Sequence, residues 1–489
     1  MHIHFDNSYA AFGRPLSVPQ EPDPVKAPAL IRINEPLARD LGIDAAWLAS
    51  DEGVAALAGN AVPDGATPVA TAYAGHQFGQ FNPQLGDGRA VLLGEIVAQD
   101  GHRYDLQLKG SGRTPWSRGG DGRSPLGPVL REYIVSEAMA ALGVPTTRAL
   151  AAVSTGETVV REGLEPGAIL TRVASSHLRV GTLQFFAARE DRASIQRIVE
   201  HALARHYPDR RGEANPALAL LNAVIEAQAQ LVARWQLLGF IHGVMNTDNM
   251  LLCGETVDYG PCAFMEAFKA ETVFSSIDVQ GRYAYSNQPG IAHWNLTRLA
   301  EAVLPLIDDD TEAAVEQAKE AIQSFPEHFG DAHSAGVAKK LGLARLEGSD
   351  VDLANDLFEA LAADKADFTL AFRFLAEEIA PLDGEAYAGR LFEPGQKLLE
   401  WLPRWLQRQA RESEDAAQRQ RAMLAASPAF IPRNHLVQKA ITEAEEGDFA
   451  FFHRLVERLA APGEYDPADR DLALPATPQE AVFRTFCGT

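Results

Sequence analysis

Between Arg89 and Val173 the chain alternates strand-forming and turn-forming stretches with one helical interruption, and from about Asn295 onward nearly every segment repeats its apolar residues at helical spacing. This change of period constrains the fold more than any other feature, because a period of two suits a pleated surface and a period near 3.6 suits a helix packed on one face. It predicts an α+β protein with a β-rich part followed by helices. The β part opens with RAVLLGEIV and RYDLQLKG, two apolar runs joined through Asp100-Gly101, a dipeptide suited to a tight hairpin; Lys109 ends the second strand. Ser124-Pro125 then offers an N-cap and a first-turn proline to a helix in which Val129, Leu130, Tyr133, Ile134 and Leu142 recur until Gly143. RALAAV, TVVREG and AILTRV, separated by STGE and by Glu165-Pro166-Gly167, predict three further strands.

A second helix is marked by Asn215-Pro216 at its start and Gly239 at its end, with Leu218, Leu221, Ile225, Val232 and Trp235 on one face. It runs directly into FIHGVMNTDNM. LLC and TVD around Gly254-Glu255 predict a short hairpin whose second strand ends in Asp258-Tyr259-Gly260. Residues 1–70, rich in Pro, Ala and Asp, predict a loosely structured but packed extension.

At 489 residues the chain exceeds what one core sustains, so at least two packed units are expected. The net charge of −22 repels nucleic-acid backbones and anionic membranes, so neither is expected as a partner, and a nucleotide site needs its own local cations. Three cysteines, Cys253, Cys262 and Cys487, are too few for a secreted disulfide scaffold. The N-terminal residues lack the pattern of a signal peptide, and no apolar stretch reads as approaching the roughly 20 residues needed to span a bilayer. A cytoplasmic protein is expected.

Three groups of residues together suit phosphate chemistry. Gly86-Asp87-Gly88-Arg89 precedes the first strand, where glycines let backbone N–H groups approach phosphate oxygens and Arg89 adds charge. Lys109 can neutralise phosphate if a carboxylate holds it. The candidates are Glu132 and Glu137; about 140° apart around the helix, only one of them can face the lysine, and Glu132 is preferred. HGVMNTDN, followed nine residues later by DYG, brings Asp248, Asn249 and Asp258 towards one another, and hard oxygen donors of this kind suit Mg²⁺ or Mn²⁺.

This pattern looks like the protein-kinase fold, whose catalytic loop reads H-R-D with an Asn five residues after the Asp, and whose metal-binding Asp lies in D-F-G. Aligning His242 and Asn249 with that loop puts Val244 where a kinase carries its catalytic Asp. Valine cannot accept a proton. The longer strings TAYAGHQFGQFNPQLGDGRA, LQLKGSGRTPWSRGGDGRSPLGPVLRE, LTRVASSHLRVGTLQFFA, HGVMNTDNM and DYGPCAFM resemble the SelO family of protein adenylyltransferases over most of residues 70–290.

The resemblance implies a kinase-like two-lobed α+β fold with an additional helical C-terminal region. Its parts would be an extension (1–70), a β-rich lobe with one helix (71–180), a lobe with the catalytic loop and metal Asp (181–320) and a helical region (321–489). It implies ATP bound in flipped orientation, AMP moved onto Ser, Thr or Tyr hydroxyls of proteins, redox-related proteins and the enzyme itself among them, and pyrophosphate released. Gly86, Gly88, Arg89, Lys109, Asp121, Gly122, Arg172, Arg179 and Asp258 would contact the nucleotide, Asp248 would accept the proton, and Asn249 and Asp258 would hold Mg²⁺ or Mn²⁺. Arg172 and Arg179 can clamp phosphate oxygens, although a surface ion pair is the commoner fate of an arginine. Two other readings stay open: a phosphotransferase with Asp248 as a displaced base, and a non-catalytic nucleotide-binding pseudokinase. Cys487 matches the family's near-terminal selenocysteine or cysteine and is either redox-active or inert. The cysteine that some members pair with it is absent from FSSID, where residues 275 and 276 are serines.

Overall fold

The computed structural model describes residues 3–380 and 388–486, so Cys487 lies outside the described residues. The fold is α+β. Across its main sheet run Ser17–Pro19, Val69–Thr71, Ala90–Val97, Arg103–Lys109, Leu164–Ala174, Arg148–Val160 and Ala29–Ile33, and Ser124–Pro125 pairs alongside Leu164–Ala174. All these pairings are antiparallel, and the Asp100-Gly101 hairpin forms where the sequence predicts it.

The sequence reading needs correction in five places. RALAAV and TVVREG form one strand, Arg148–Val160, because Gly156 takes a left-handed φ of 66° and lets the strand bulge past Ala27 where STGE reads as a turn. The reversal comes instead at residues 161–163, and Glu165-Pro166-Gly167 lies within the next strand at a shift of register. Ser124 does not cap the first predicted helix: Ser124-Pro125 pairs with Gly167-Ala168, and the helix runs Leu126–Ala141 with Pro125 at its cap position. LLC and TVD form no hairpin, since Leu251 bridges to Arg179 and Thr256 to Thr146. Residues 1–70 are also more ordered than predicted: Ser17–Pro19 and Ala29–Ile33 supply both edges of the sheet, and three short helices lie between residues 35 and 57.

The helix Pro216–Leu238 matches its predicted ends, with Asn215 accepting from the Leu218 N–H and Gly239 closing it at φ 70°. By length and composition it could cross a membrane, which the sequence reading denied to every segment; 67% of its most apolar window is buried inside the molecule, where it forms a core helix. Beyond it, Phe240–Ile241 pairs with Ala263–Phe264, tying the entry of the HGVMNTDN loop to the chain just past Asp258.

From Gln288 the chain is almost wholly helical. Its last long helices, Asn434–Glu445 and Ala450–Leu459, fold back onto Leu126–Ala141, where Leu130, Tyr133 and Ile134 share one core with Val437, Ile441 and Phe452. Arg131, buried in that contact, donates to Asn434 Oδ1 at 2.9 Å.

Candidate active site

A cleft of about 630 Å³ opens between the sheet and the loop that follows Pro216–Leu238. Gly86, Gly88, Arg89, Lys109, Asp121, Gly122, Glu132, Arg172, Arg179, Asp248, Asn249 and Asp258 all line it. Glu137 does not; it binds Arg148 Nε at 2.9 Å and the Ala149 N–H at 2.8 Å.

Sheet register assembles the cationic wall. Lys109 pairs with Leu170 and Gln107 with Arg172, so lysine and arginine project from one face, two residues apart along neighbouring strands. Two carboxylates hold them there. Lys109 Nζ lies 2.6 Å from Glu132 Oε2 and 2.8 Å from Asp258 Oδ1, and Arg172 reaches the same two residues at 2.7 Å through Nε and 2.6 Å through Nη2. Arg179, just before the helix Val180–Ala187, adds a third cation 3.0 Å from Asp258 Oδ2, with its guanidinium over the Tyr73 ring. Burial alone would raise both carboxyl groups, but Arg172 and Lys109 outweigh it at Glu132, and Arg172, Lys109 and Arg179 hold Asp258 well below the carboxylate range. Three cations thus face two carboxylates, an excess of positive charge that suits a polyanion.

Asp258 itself sits at φ 64°, a left-handed backbone uncommon outside glycine, so local strain sets its direction into the cleft. His242 braces the loop behind it. Its Nε2 lies 2.9 Å from the Val257 carbonyl, and its Nδ1 accepts from the Val244 N–H at 3.3 Å, which fixes the neutral tautomer with the proton on Nε2.

Asp248 has a different environment. Its Oδ2 accepts from Gln77 Nε2 at 3.3 Å, while its Oδ1 is buried with no hydrogen-bond partner among the described residues. Burial, only partly opposed by Arg179, pushes this carboxyl up to about 6. Gly75 makes the fit possible: a Cβ there would collide with Asp248 Oδ1. Asn249 Nδ2 donates to the Val244 carbonyl at 3.0 Å, which leaves its amide oxygen as a hard donor.

The glycine-rich turn is braced by its neighbours. Gly86 takes φ 72° under the Trp116 ring, and Asp87 is spent inside the turn, accepting from Thr71 Oγ1 at 2.7 Å and from the Thr71 N–H at 3.0 Å. Asp121 is likewise engaged, by Arg161 at 2.9 and 3.0 Å, and Arg161 lines the cleft beside it. Sequence reasoning missed Gln77, Tyr73, Trp116 and Arg161 as individual residues. The first three lie in the strings that carry the resemblance, but neither spacing nor residue type singles them out.

Among the described residues no group of three or more His, Cys, Asp or Glu could hold a metal. A metal nucleotide needs fewer protein ligands, because phosphates and waters complete the shell. The amide oxygen of Asn249 and the carboxylate of Asp258, whose charged form the neighbouring cations favour, fit Mg²⁺ or Mn²⁺ on those terms.

A polyanion cleft with a buried carboxyl of raised proton affinity beside it is the equipment of a nucleotide-dependent transferase. The family model described as protein adenylyltransferase SelO matches residues 1–460, so the chain belongs to that family and, with it, to the protein nucleotidyltransferases as an enzyme class. Similar chains include the protein nucleotidyltransferases YdiU of Bradyrhizobium sp. strain BTAi1, 57% identical, and of Rhodopseudomonas palustris strain BisB5, 55% identical, each covering all of both chains. That of Nitrobacter hamburgensis is 55% identical over all of this chain and 96% of its own.

Proposed function

We propose that this chain transfers AMP from ATP to Ser, Thr or Tyr hydroxyls of proteins, on a kinase-like two-lobed scaffold that holds ATP with its α-phosphate towards the acceptor. The observation that carries the reading is the pairing of Val244 with Asp248. The position of a kinase base holds a side chain without proton affinity, while a buried carboxylate with an open oxygen lines the same cleft. In this reading the acceptor oxygen attacks the α-phosphorus, its proton passes to Asp248, and the bond to the β-phosphate oxygen breaks to release pyrophosphate. Lys109, Arg172 and Arg179 bind the phosphates and stabilise the charge that gathers on pyrophosphate. Glu132 keeps the lysine and Arg172 pointed at that charge. A bound Mg²⁺ or Mn²⁺, held by Asn249 and Asp258, would supply further charge neutralisation.

With the full chain, ATP and Mg²⁺ or Mn²⁺, protein is expected to be labelled from α-labelled and not from γ-labelled ATP, and mass spectrometry to show an AMP-sized addition. A phosphate-sized addition, or equal labelling from both forms, defeats the proposal in favour of phosphoryl transfer.

The pH dependence follows from Asp248. A base works only when ionised, so the transfer rate should fall tenfold per pH unit below about 6 and level off above it. A profile flat from pH 5 to pH 8, with the chain folded throughout, removes Asp248 from the proton transfer.

A further inference from the structure

A second cavity, of about 870 Å³, shares no lining residue with the first. It lies where the C-terminal ends of Leu126–Ala141, Pro216–Leu238, Phe325–Lys340 and Ala416–Ala426 converge, with residues 461–464 alongside. Its walls are largely apolar, with Leu237, Leu238 and Pro428 among them. At its exposed rim Arg234 and Lys339 are matched in number by Asp331 and Glu464, so the signs balance there.

Lys340 breaks that balance. It lines the cavity although only 4% of the residue is exposed, and its Nζ lies 4.5 Å from the centre of the Phe372 ring. No carboxylate or other hydrogen-bond acceptor partners it among the described residues, whereas buried Arg433 has Asp367 at 2.7 Å and buried Arg172 has Glu132. Lys340 ends its helix, so besides the ring its ammonium has only the partial negative charge of that carbonyl end for compensation, and burial still pushes its amine down to about 7. An arriving anion would restore the missing counter-charge.

We propose that this cavity is a binding site for a small amphipathic monocarboxylate, with its carboxylate on Lys340 and its hydrocarbon body along Leu237, Leu238 and Pro428. One unmatched cation argues for one negative charge, since a phosphate dianion would bring a second charge with nothing to meet it. The apolar walls argue for hydrocarbon in place of a sugar or peptide. The proposal is independent of the reaction in the nucleotide cleft.

The test is calorimetric titration of the full chain with octanoate, and with octan-1-ol as the uncharged control, under saturating ATP so that the cations of the first cleft are occupied. One octanoate per chain is expected, binding at least tenfold more tightly than octanol. Lys340→Met keeps the length of the side chain and removes the charge, and Ala332→Trp fills the cavity with Lys340 intact; each should weaken octanoate binding at least tenfold. Thermal unfolding checks that both variants fold, and if Lys340→Met does not, Ala332→Trp and the octanol comparison still decide. Octanoate binding unchanged in the folded variants, octanol binding as tightly, or no octanoate binding to the unaltered chain overturns the site.

Discussion

Replacing Asp248 with asparagine should slow AMP transfer by about two to four orders of magnitude while changing ATP affinity by no more than a few fold. Asparagine matches the carboxylate in shape, so it fits against Gly75, where a Cβ would collide with Oδ1, and keeps an oxygen for Gln77. It loses the capacity to take a proton and the negative charge that Arg179 faces. Single-turnover labelling from α-labelled ATP, set beside equilibrium ATP binding, separates the two quantities. Transfer undiminished in Asp248→Asn means that the base lies elsewhere in the cleft. A large loss of ATP affinity instead assigns Asp248 to nucleotide or metal binding.

Asp258→Ala should be the more damaging change, because among the described residues Asp258 is the one carboxylate that touches all three cations. Without it, Lys109, Arg172 and Arg179 face one another with Glu132 as the remaining counter-ion, and breaking a buried ion pair from one side costs about 3–5 kcal/mol. Transfer should drop to background and the melting temperature should fall. A nucleotide triphosphate should then recover more of the lost stability in the variant than it adds to the unaltered chain, since phosphate replaces the missing charge. The check is thermal unfolding of both proteins with and without ATP. An Asp258→Ala protein that melts unchanged would mean that the three cations do not depend on this carboxylate.

The site was more legible in the sequence than the sheet around it. Lys109, Asn249 and Asp258 could be read because each sits where a period changes: the end of a strand, the loop after a long helix, the last residue before Tyr-Gly. The turn angle of a helix showed that only one of Glu132 and Glu137 can face the lysine, and the structure makes it the preferred Glu132. Arg172 was harder. It stands in an apolar strand where only register against Gln107 and Lys109 explains it, and register between distant strands is not a local property. The same limit explains the misread hairpin at LLC and TVD, whose partners Arg179 and Thr146 are far away along the chain. Gly156 misled in the opposite sense: a glycine between polar residues suits a turn, and nothing local reveals that the strand continues through it. Asp248 was visible as a residue, but its raised carboxyl depends on burial under the segment Gly75–Gln77, more than 170 positions earlier.

The packing of Asn434–Glu445 and Ala450–Leu459 against the helix of Glu132 also sets an order of events during synthesis. Strands and helix between residues 90 and 174 leave the ribosome first, and Ala149, Ala152, Ala168 and Leu170 then cover part of the face bearing Leu130, Tyr133 and Ile134, but the rest of its covering comes only after residue 437 and residue 452 have been made. Until then the nascent chain carries a partly covered apolar stripe on the side of the helix away from Glu132, and folding must close a loop of roughly 300 residues before that stripe is hidden. The chain is therefore exposed to aggregation and to chaperone capture for most of its translation, and fragments ending before residue 434 are expected to leave part of the stripe permanently open.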